Sequence, residues 1–391
     1  MNILFLTSRL PFPPIGGDKL RVFKFLEFLS KENYITLFLF IDNKFQIPDI
    51  EVYKKYFSRI EIIYLPSYIS YLSCIIGLFG KLPLQVYYYH SRRMRKLIEK
   101  EIENFDLVFV HLIRMAEYVK RFKMIPKILD LTDAISLNYQ RSIKYQKGLK
   151  YLISRIEKVR VLKYEIDIIK DFDRNFLVSE TDKNYLNGYA ETESVEIIPN
   201  GVDLEYFSYN ENNFDAKCIV FMGNMRTYPN NDTVKYFCDS IFPIVVRRYP
   251  DVKFYIVGAN PTREVFALGK RKNVIVTGEV DDIRPYIKRA VVSVCPLRVG
   301  SGILNKILES MALGTPVVTS TIGLEGIDAI PNEEILVTDD KYEFAEKIIS
   351  LMENPDLRNR IALNGRKLIE EKYSDKIVMN KVKKVLHQLK K

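Results

Sequence analysis

The stretch PLRVGSGILNKILESMALGTPVV, Pro296–Val318, holds residues whose types and spacing suit a phosphorylated ligand. Gly300 and Gly302 lack a Cβ, so the backbone N–H groups of Gly302, Ile303 and Leu304 can converge where a helix begins. Such donors, with the helix dipole behind them, favour an anion such as phosphate. Ile303, Ile307, Leu308 and Met311 supply a buried face, and Lys306 and Glu309, three apart, are neighbours on the other. The ammonium of Lys306 can neutralise phosphate charge. The carboxylate of Glu309 is a poor phosphate neighbour and a good acceptor for a vicinal diol. A nucleotide diphosphate offers both groups. The alternative on spacing alone is a solvated helix face with a Lys–Glu pair.

The elements that must position these residues form two series. NILFLT, YITLFLF, RIEIIYL, DLVFVH, PKILDL, RNFLVS and SVEIIP read as strands between Asn2 and Pro199, with helical stretches between most of them. The helix after NILFLT has apolar residues at Leu20, Phe23, Leu26 and Leu29. CIVFMG, DVKFYIVG, NVIVTG, VVSVC and TPVVTS form a second series, separated by the polar linker 201–217. Such alternation predicts α/β domains with parallel sheets, whose ligands sit at the strands' carboxyl ends. Three strands of the second series end in Gly, which lets a ligand approach the backbone.

Other candidates lie in the first series. His111 ends DLVFVH, and Asp133 follows another strand end in DLTDAIS. Each is a candidate base; the structural alternatives are a satisfied core histidine and, for Asp130 and Asp133, helix capping. Asp171-Phe172-Asp173 has the form of a metal-binding pair, but no second ligand set accompanies it, so we read it as structural. No metal site is expected. SYISYLSCIIGLFG (Ser67–Gly80) is too short to span a bilayer, and reads as a core helix or an interfacial segment. QVYYYHSRRMRKLIEK after it is aromatic, then basic.

Composition sets the frame. The chain has 391 residues, 47% hydrophobic and 12% aromatic, enough for two globular domains. Four scattered cysteines and three histidines argue against a disulfide frame or a zinc site, and suit a reducing cytoplasm. The net charge of +10 is local: residues 81–170 hold 20 Lys/Arg against 10 Asp/Glu, and the remainder balances at 39 against 39. A local basic excess suits an anionic partner, here an anionic membrane surface contacted through residues 67–170. No signal peptide is read at the start of the chain.

The run P-L-R-x-G-x-G-x-x-x-K-x-x-E-x-M-A-x-G-T-P-V-V resembles the donor-binding segment of the family 4 glycosyltransferases, which have the GT-B fold. Gly16-Gly17, IPNGVD (Ile198–Asp203), FMGNM…PNND (Phe221–Asp232), GEVDD (Gly278–Asp282) and the final helix match in order, so the resemblance covers nearly the whole chain. It implies an N-terminal acceptor-binding Rossmann-like domain over 1–200 and the linker 201–217. It further implies a C-terminal nucleotide-sugar domain over 218–373 and a helix over 374–391 that packs back on the first domain, with the two sheets facing across a cleft. The donor-binding residues it implies are Gly16, Gly17, Gly223, Arg226, Val280, Ser301, Gly302, Ile303, Leu304, Lys306 and Glu309. Glu309 would bind the ribose and Val280 the base through backbone atoms. Lys306, Arg298, His111 and Asp133 are the catalytic candidates.

The chain departs from the family pattern twice. The family's paired glutamate, Glu-x7-Glu, has Ser301 at its first position, and asparagines (Asn224, and Asn230 or Asn231) stand near where an Arg and a Lys often follow the first strand of the C-terminal domain. Arg226, Arg298 and Lys306 are the available cations. The expectation is a retaining, metal-independent glycosyltransferase that needs no cofactor. Its nucleotide-diphosphate sugar would serve a glycan or lipid-linked glycan in cell-surface polysaccharide synthesis, in the cytoplasm or peripherally at the inner face of the membrane. No nucleic acid is expected as partner. A non-catalytic partner subunit, or an epimerase-like enzyme on the same fold, are the alternatives.

Overall fold

The computed structural model describes residues 1–14, 16–43, 50–209, 214–300 and 302–389. Two compact units divide the chain: Met1–Ile198 with Lys381–Lys391, and Pro199–Asn380.

The first unit runs β1 (Asn2–Leu6), α1 (Gly17–Leu29), β2 (Tyr34–Ile41), β3 (Arg59–Tyr64), α2 (Ser67–Gly77), α3 (Leu84–Tyr88), α4 (Arg92–Glu101), β4 (Leu107–His111), β5 (Lys127–Thr132), α5 (Ile135–Ser142), α6 (Gly148–Ile169), β6 (Arg174–Leu177), α7 (Glu180–Asn187) and β7 (Val195–Ile197). All seven strands pair in parallel, in the order β3-β2-β1-β4-β5-β6-β7. Strands covered on both faces read as unbroken apolar runs, and β1 and β4 are buried over almost their whole length. Phe5 and Phe109 stack with centroids 4.8 Å apart, and Phe25 of α1 packs on the same ring.

The second unit runs β8 (Asp215–Met222), α8 (Tyr228–Tyr236), α9 (Phe242–Arg248), β9 (Lys253–Val257), α10 (Arg263–Leu268), β10 (Val274–Gly278), α11 (Arg284–Arg289), β11 (Ala290–Cys295), α12 (Asn305–Ala312), β12 (Val317–Thr319), α13 (Thr321–Leu324), β13 (Leu336–Val337), α14 (Lys341–Glu353), α15 (Pro355–Leu368) and α16 (Asp375–Leu389). Its sheet is parallel, in the order β10-β9-β8-β11-β12-β13. The two-residue β13 has no periodicity of its own and does not show in the sequence. α16 starts in the second unit, and its residues from Lys381 belong with the first, where Lys383 Nζ lies 2.6 Å from Glu32. The division falls at Ile198, and β8 begins at Asp215, inside the polar stretch 201–217.

Strand order reverses between β1 and β4 in one sheet and between β8 and β11 in the other. Ligands of open α/β sheets bind at such switch points, beyond the strands' carboxyl ends. The candidate residues that follow β4, β8 and β11 are therefore placed where the topology makes room.

Helix α2 corrects the core-helix reading of Ser67–Gly80. Only Ser70 and Gly77 of the helix are buried, while Tyr68, Tyr71, Leu72, Ile75 and Ile76 are exposed. Its small residues face the protein and its large apolar ones face outward. Among the described residues no helix is long and apolar enough to cross a membrane.

Candidate active site

In the second unit the Pro296–Val318 segment runs from the end of β11 through α12 into β12. Gly300 and Gly302 have φ of 154° and 71°, conformations that favour glycine, and a Cβ on Gly300 would lie 2.8 Å from Leu297. Leu304 is the N-cap and lacks a side-chain capping bond; Gly302 and Ile303 precede it, both buried. The N–H groups of Gly302, Ile303 and Leu304 have no acceptor among the described residues. Ile307, Leu308 and Met311 bury the inner face of α12, leaving Lys306 and Glu309 half-buried on the other. Ser301 lies outside the described residues.

Lys306 is held rather than loose. Its Nζ donates to Asn230 Oδ1 at 2.5 Å and sits 4.1 Å from the centre of the Phe221 ring. Asn230 Nδ2 in turn donates to the Asn224 carbonyl at 2.9 Å. Burial lowers the pKa of Lys306, and Cys295 and Glu309 act against that shift. Gly223, just after β8, is what admits this arrangement. A Cβ there would lie 2.6 Å from Asn230 and 3.0 Å from Lys306 Nζ. The asparagines thus fix an amine donated by another helix. Asn231 is not part of this: it donates to Thr262 at 2.7 Å.

Arg298 donates to both oxygens of Asp232, at 3.0 and 2.6 Å, and lies 4.4 Å over the Tyr236 ring. The hydrogen bond to Asp232 raises its pKa against burial. Helix α8 therefore grips two cations, Lys306 through Asn230 and Arg298 through Asp232. Arg226 is exposed in the turn before it. Val280 packs half-buried on the cluster that holds Val220 and Met222. Asn200 of IPNGVD donates to the side chain of Asn305, the first residue of α12, at 2.8 Å. That contact ties the linker motif to the start of α12.

In the first unit Gly16, with φ of 99°, is the N-cap of α1 and Gly17 its first residue, both exposed. Behind them lies a buried charge cluster. Register sets His111 opposite Asp130, and His111 Nδ1 lies 2.8 Å from Asp130 Oδ2. Arg21 of α1 donates from Nε at 3.1 and 3.0 Å and from Nη2 at 2.8 Å to the same carboxylate. Burial would raise the pKa of Asp130, but Arg21 and His111 outweigh it and hold the group well below the usual carboxylate range. His111 Nε2 is buried without a partner among the described residues. Asp133 differs: burial, then the nearby charge of Asp182, pushes its pKa up to about 7. Leu112 and Thr132, beside the two candidate bases, have φ of 68° and 67°, a costly conformation for residues with a Cβ.

Asp130 and Asp133 do not cap α5. Glu165 accepts from the N–H groups of Ile135 (2.7 Å) and Ser136 (3.4 Å), and Asp182 from that of Ala134 at 3.0 Å. Asp171 binds Lys123, and Asp173 accepts from the Lys127 N–H at 2.7 Å, so this pair is structural. No group of three or more metal-ligating side chains occurs among the described residues. Sequence reasoning missed Arg21, whose signal was a cation in the apolar stripe with Phe25 and Leu29. It also missed Asn230 and Asp232 as the partners of the cations.

Two parallel doubly wound units, each with polar groups at its switch point, define a two-domain α/β class of fold. Residues 216–354 match the family described as glycosyl transferases group 1, and residues 65–206 match glycosyltransferase family 4. A Klebsiella pneumoniae protein described as an uncharacterized 44.6 kDa protein in the cps region is 24% identical over 97% of this chain and 98% of its own. The Staphylococcus aureus capsular polysaccharide biosynthesis glycosyltransferase CapM is 26% identical over 59% of this chain and 64% of its own. The Escherichia coli UDP-Gal:alpha-D-GlcNAc-diphosphoundecaprenol alpha-1,3-galactosyltransferase is 28% identical over 46% and 53%. Sucrose-phosphate synthase from Thermosynechococcus elongatus superposes with a TM-score of 0.74 at 17% identity, covering 99% of this chain and 98% of that one. Anabaena HepE, solved with UDP and glucose, gives 0.69 at 15%, covering 98% and 99%. The chain belongs to the family 4 glycosyltransferases of the GT-B fold.

Proposed function

We propose that the chain moves a sugar from a nucleoside-diphosphate sugar to a lipid-linked glycan, with retention at the anomeric carbon, in capsule or related polysaccharide synthesis. The bond from the anomeric carbon to the diphosphate oxygen breaks, a bond to an acceptor hydroxyl forms, and the hydroxyl proton is released. The second unit holds the donor and the first the acceptor. The observation that carries this reading is the start of α12. The N–H groups of Gly302–Leu304, without an acceptor among the described residues, precede an amine, Lys306, fixed by Asn230, and a carboxylate, Glu309, stands one turn on. The diphosphate takes the first two and the ribose diol the third. Charge developing on the leaving diphosphate meets Lys306, with Arg298 and Arg226 as further cations, so no metal is required.

Support for the acceptor comes from the relatives, one named for capsular polysaccharide biosynthesis and one for a diphosphoundecaprenol-linked sugar. HepE binds UDP. The outward apolar face of α2 continues into α6, where Leu149, Leu152, Ile156 and Val159 are exposed among Lys147, Lys150 and Arg155. Arg160 of α6 donates to the carbonyls of Gly77 (3.1 Å) and Leu78 (2.6 Å), joining the two helices. An apolar face dotted with cations fits an anionic bilayer, which supports reading the protein as peripheral to the inner face of the membrane.

The test is thermal stabilisation by UDP, GDP, ADP and CMP. One diphosphate should stabilise the chain. Lys306→Ala and Glu309→Ala should each weaken that binding about tenfold or more, the worth of one hydrogen bond to a charged group. If no diphosphate binds, the donor reading fails.

A further inference from the structure

A cavity of about 890 Å³ lies within the first unit, beyond the carboxyl ends of β1, β2 and β3. Leu10, Phe12, Phe40 and Leu65 give it apolar walls, α2 and α3 border it, and Arg114 enters from the turn after β4. Its size is that of a small-molecule site.

The polar lining is unbalanced. Among the described residues, Arg9, Lys19 and Arg114 line the cavity with one carboxylate, Asp42. Arg9 donates to the Tyr89 hydroxyl at 3.3 Å and lies 3.5 Å from Asp18. Arg114 has no carboxylate within ion-pair reach among the described residues; its Nε donates to Gln85 at 3.2 Å, and its guanidinium lies 5.6 Å from the Tyr89 ring. Burial lowers the pKa of Arg114 and the nearby charge of Arg9 adds to that, while Tyr89 and Asp18 act against the shift. A half-buried arginine with no carboxylate in contact, opposed only by Tyr89 and the more distant Asp18, is better satisfied when an anion visits. Ser70 is a second, independent sign. It lines the cavity, it is 1% exposed, and its hydroxyl has no partner among the described residues. Buried hydroxyls are paired as a rule.

The same helix that presents Ser70 and Cys74 to the cavity turns Tyr71, Leu72, Ile75 and Ile76 outward. An occupant that satisfies Arg9, Arg114 and Ser70 with anionic oxygens can therefore run an apolar tail along α2. We propose that this cavity is an anion subsite for the phosphate or diphosphate that joins a glycan acceptor to its lipid, with Arg9 and Arg114 as its cations and Ser70 as a neutral donor. This rests on reading the first unit as the acceptor-binding one, and deepens it by assigning the acceptor's phosphate a place. The shared chemistry is a phosphate anion, and the free anion is the rival source.

The experiment is isothermal titration of the full chain with farnesyl diphosphate, farnesol and inorganic pyrophosphate, with Arg114→Gln, Arg9→Gln and Ser70→Ala beside the native protein. Farnesyl diphosphate should bind at least tenfold more tightly than farnesol. Arg114→Gln should erase that advantage, and Ser70→Ala should weaken farnesyl diphosphate severalfold while leaving thermal unfolding unchanged, which keeps the test readable if an arginine variant folds poorly. Lys306→Ala should leave farnesyl diphosphate binding as it is. Equal binding by the native chain, Arg114→Gln and Ser70→Ala overturns the subsite. Displacement of farnesyl diphosphate by a bound nucleoside diphosphate also overturns it, because the ligand then sits in the donor site. Pyrophosphate binding as tightly as farnesyl diphosphate overturns the lipid assignment. Failure of every nucleoside diphosphate to bind would instead strike the donor reading, and the Arg114 comparison would still decide this one.

Discussion

Asp130 is wholly enclosed, and Arg21 and His111 keep its charge there. Removing one partner of such a pair leaves the other buried without compensation. Asp130→Asn is therefore expected to cost about 3–5 kcal/mol in a urea titration, whereas an exposed pair such as Lys217–Asp251 should cost about 1 kcal/mol or less. A loss below about 1 kcal/mol would mean that Arg21 escapes to solvent. The folded-state pKa of Asp130 is depressed, so its contribution is present above the ordinary carboxylate range and is lost as pH falls below about 4. The sequence carried the two halves of this region unequally. Gly302, Lys306 and Glu309 are close neighbours in sequence, so their spacing alone suggests a diphosphate site. Arg21 and Asp130 are 109 residues apart, and only the pairing of β1 with β4 and β4 with β5 brings them together. The partnerships of Asn230 and Asp232 with Lys306 and Arg298 were hidden for the same reason. PNND could be matched as a motif, but which cation each residue holds depends on where α8 lies beside β11 and α12.

Helix α6 shows how one element sets the ends of three others. Glu157 accepts from the N–H of Leu84 at the start of α3 (2.8 Å), Arg160 donates to carbonyls at the end of α2, and Glu165 covers the start of α5. Acid meets each N-terminus and base the C-terminus, as helix dipoles favour. Burial carries a cost here: it pushes Glu165 up to about 8, although Ser136 and the α5 N–H groups hold it back. A carboxyl with a raised folded-state pKa binds its proton more readily folded than unfolded. Its stabilisation is complete below about pH 4 and is lost as pH rises toward 8, and Asp133, at about 7, acts in the same sense. The urea midpoint should therefore fall between pH 5 and 8. Glu165→Gln, which keeps an oxygen for the Ile135 N–H and cannot ionise, should flatten the upper part of that slope; an unchanged slope would clear Glu165 as its source. The small inner face of α2 makes a separate prediction. A Cβ at Gly77 would lie 2.4 Å from the Tyr87 ring, so Gly77→Ala should cost about 1–3 kcal/mol, recovered in part by Tyr87→Ala. The apolar character of this helix was plain in the sequence; its inverted orientation was not, because it depends on α3 and α6 taking the side that carries the small residues.

For the whole molecule, the +10 charge matters through its placement. All of the excess lies in residues 81–170, the stretch that contains α3, α4, α5 and α6. Exposed apolar side chains on α2 and α6 stand beside it, pinned together by Arg160. These two features predict different responses in one measurement, co-sedimentation with vesicles of phosphatidylglycerol and phosphatidylcholine. Basic residues near an anionic surface contribute about 1 kcal/mol each at low ionic strength, and that attraction falls off within a Debye length of about 10 Å at 0.1 M salt. Buried apolar area is indifferent to such screening. Binding should therefore rise with the phosphatidylglycerol fraction and drop as salt is raised to about 0.5 M, where the Debye length is a few Å. Ile76→Ser with Phe79→Ser should weaken binding at both salt levels, with little change in the urea midpoint because both side chains already face solvent, Phe79 at 92% exposure. Lys150→Gln with Arg155→Gln should weaken it at low salt alone. If the serine pair changes nothing, the outward face of α2 does not enter the bilayer, and electrostatics from the basic stretch would be the whole of the attraction.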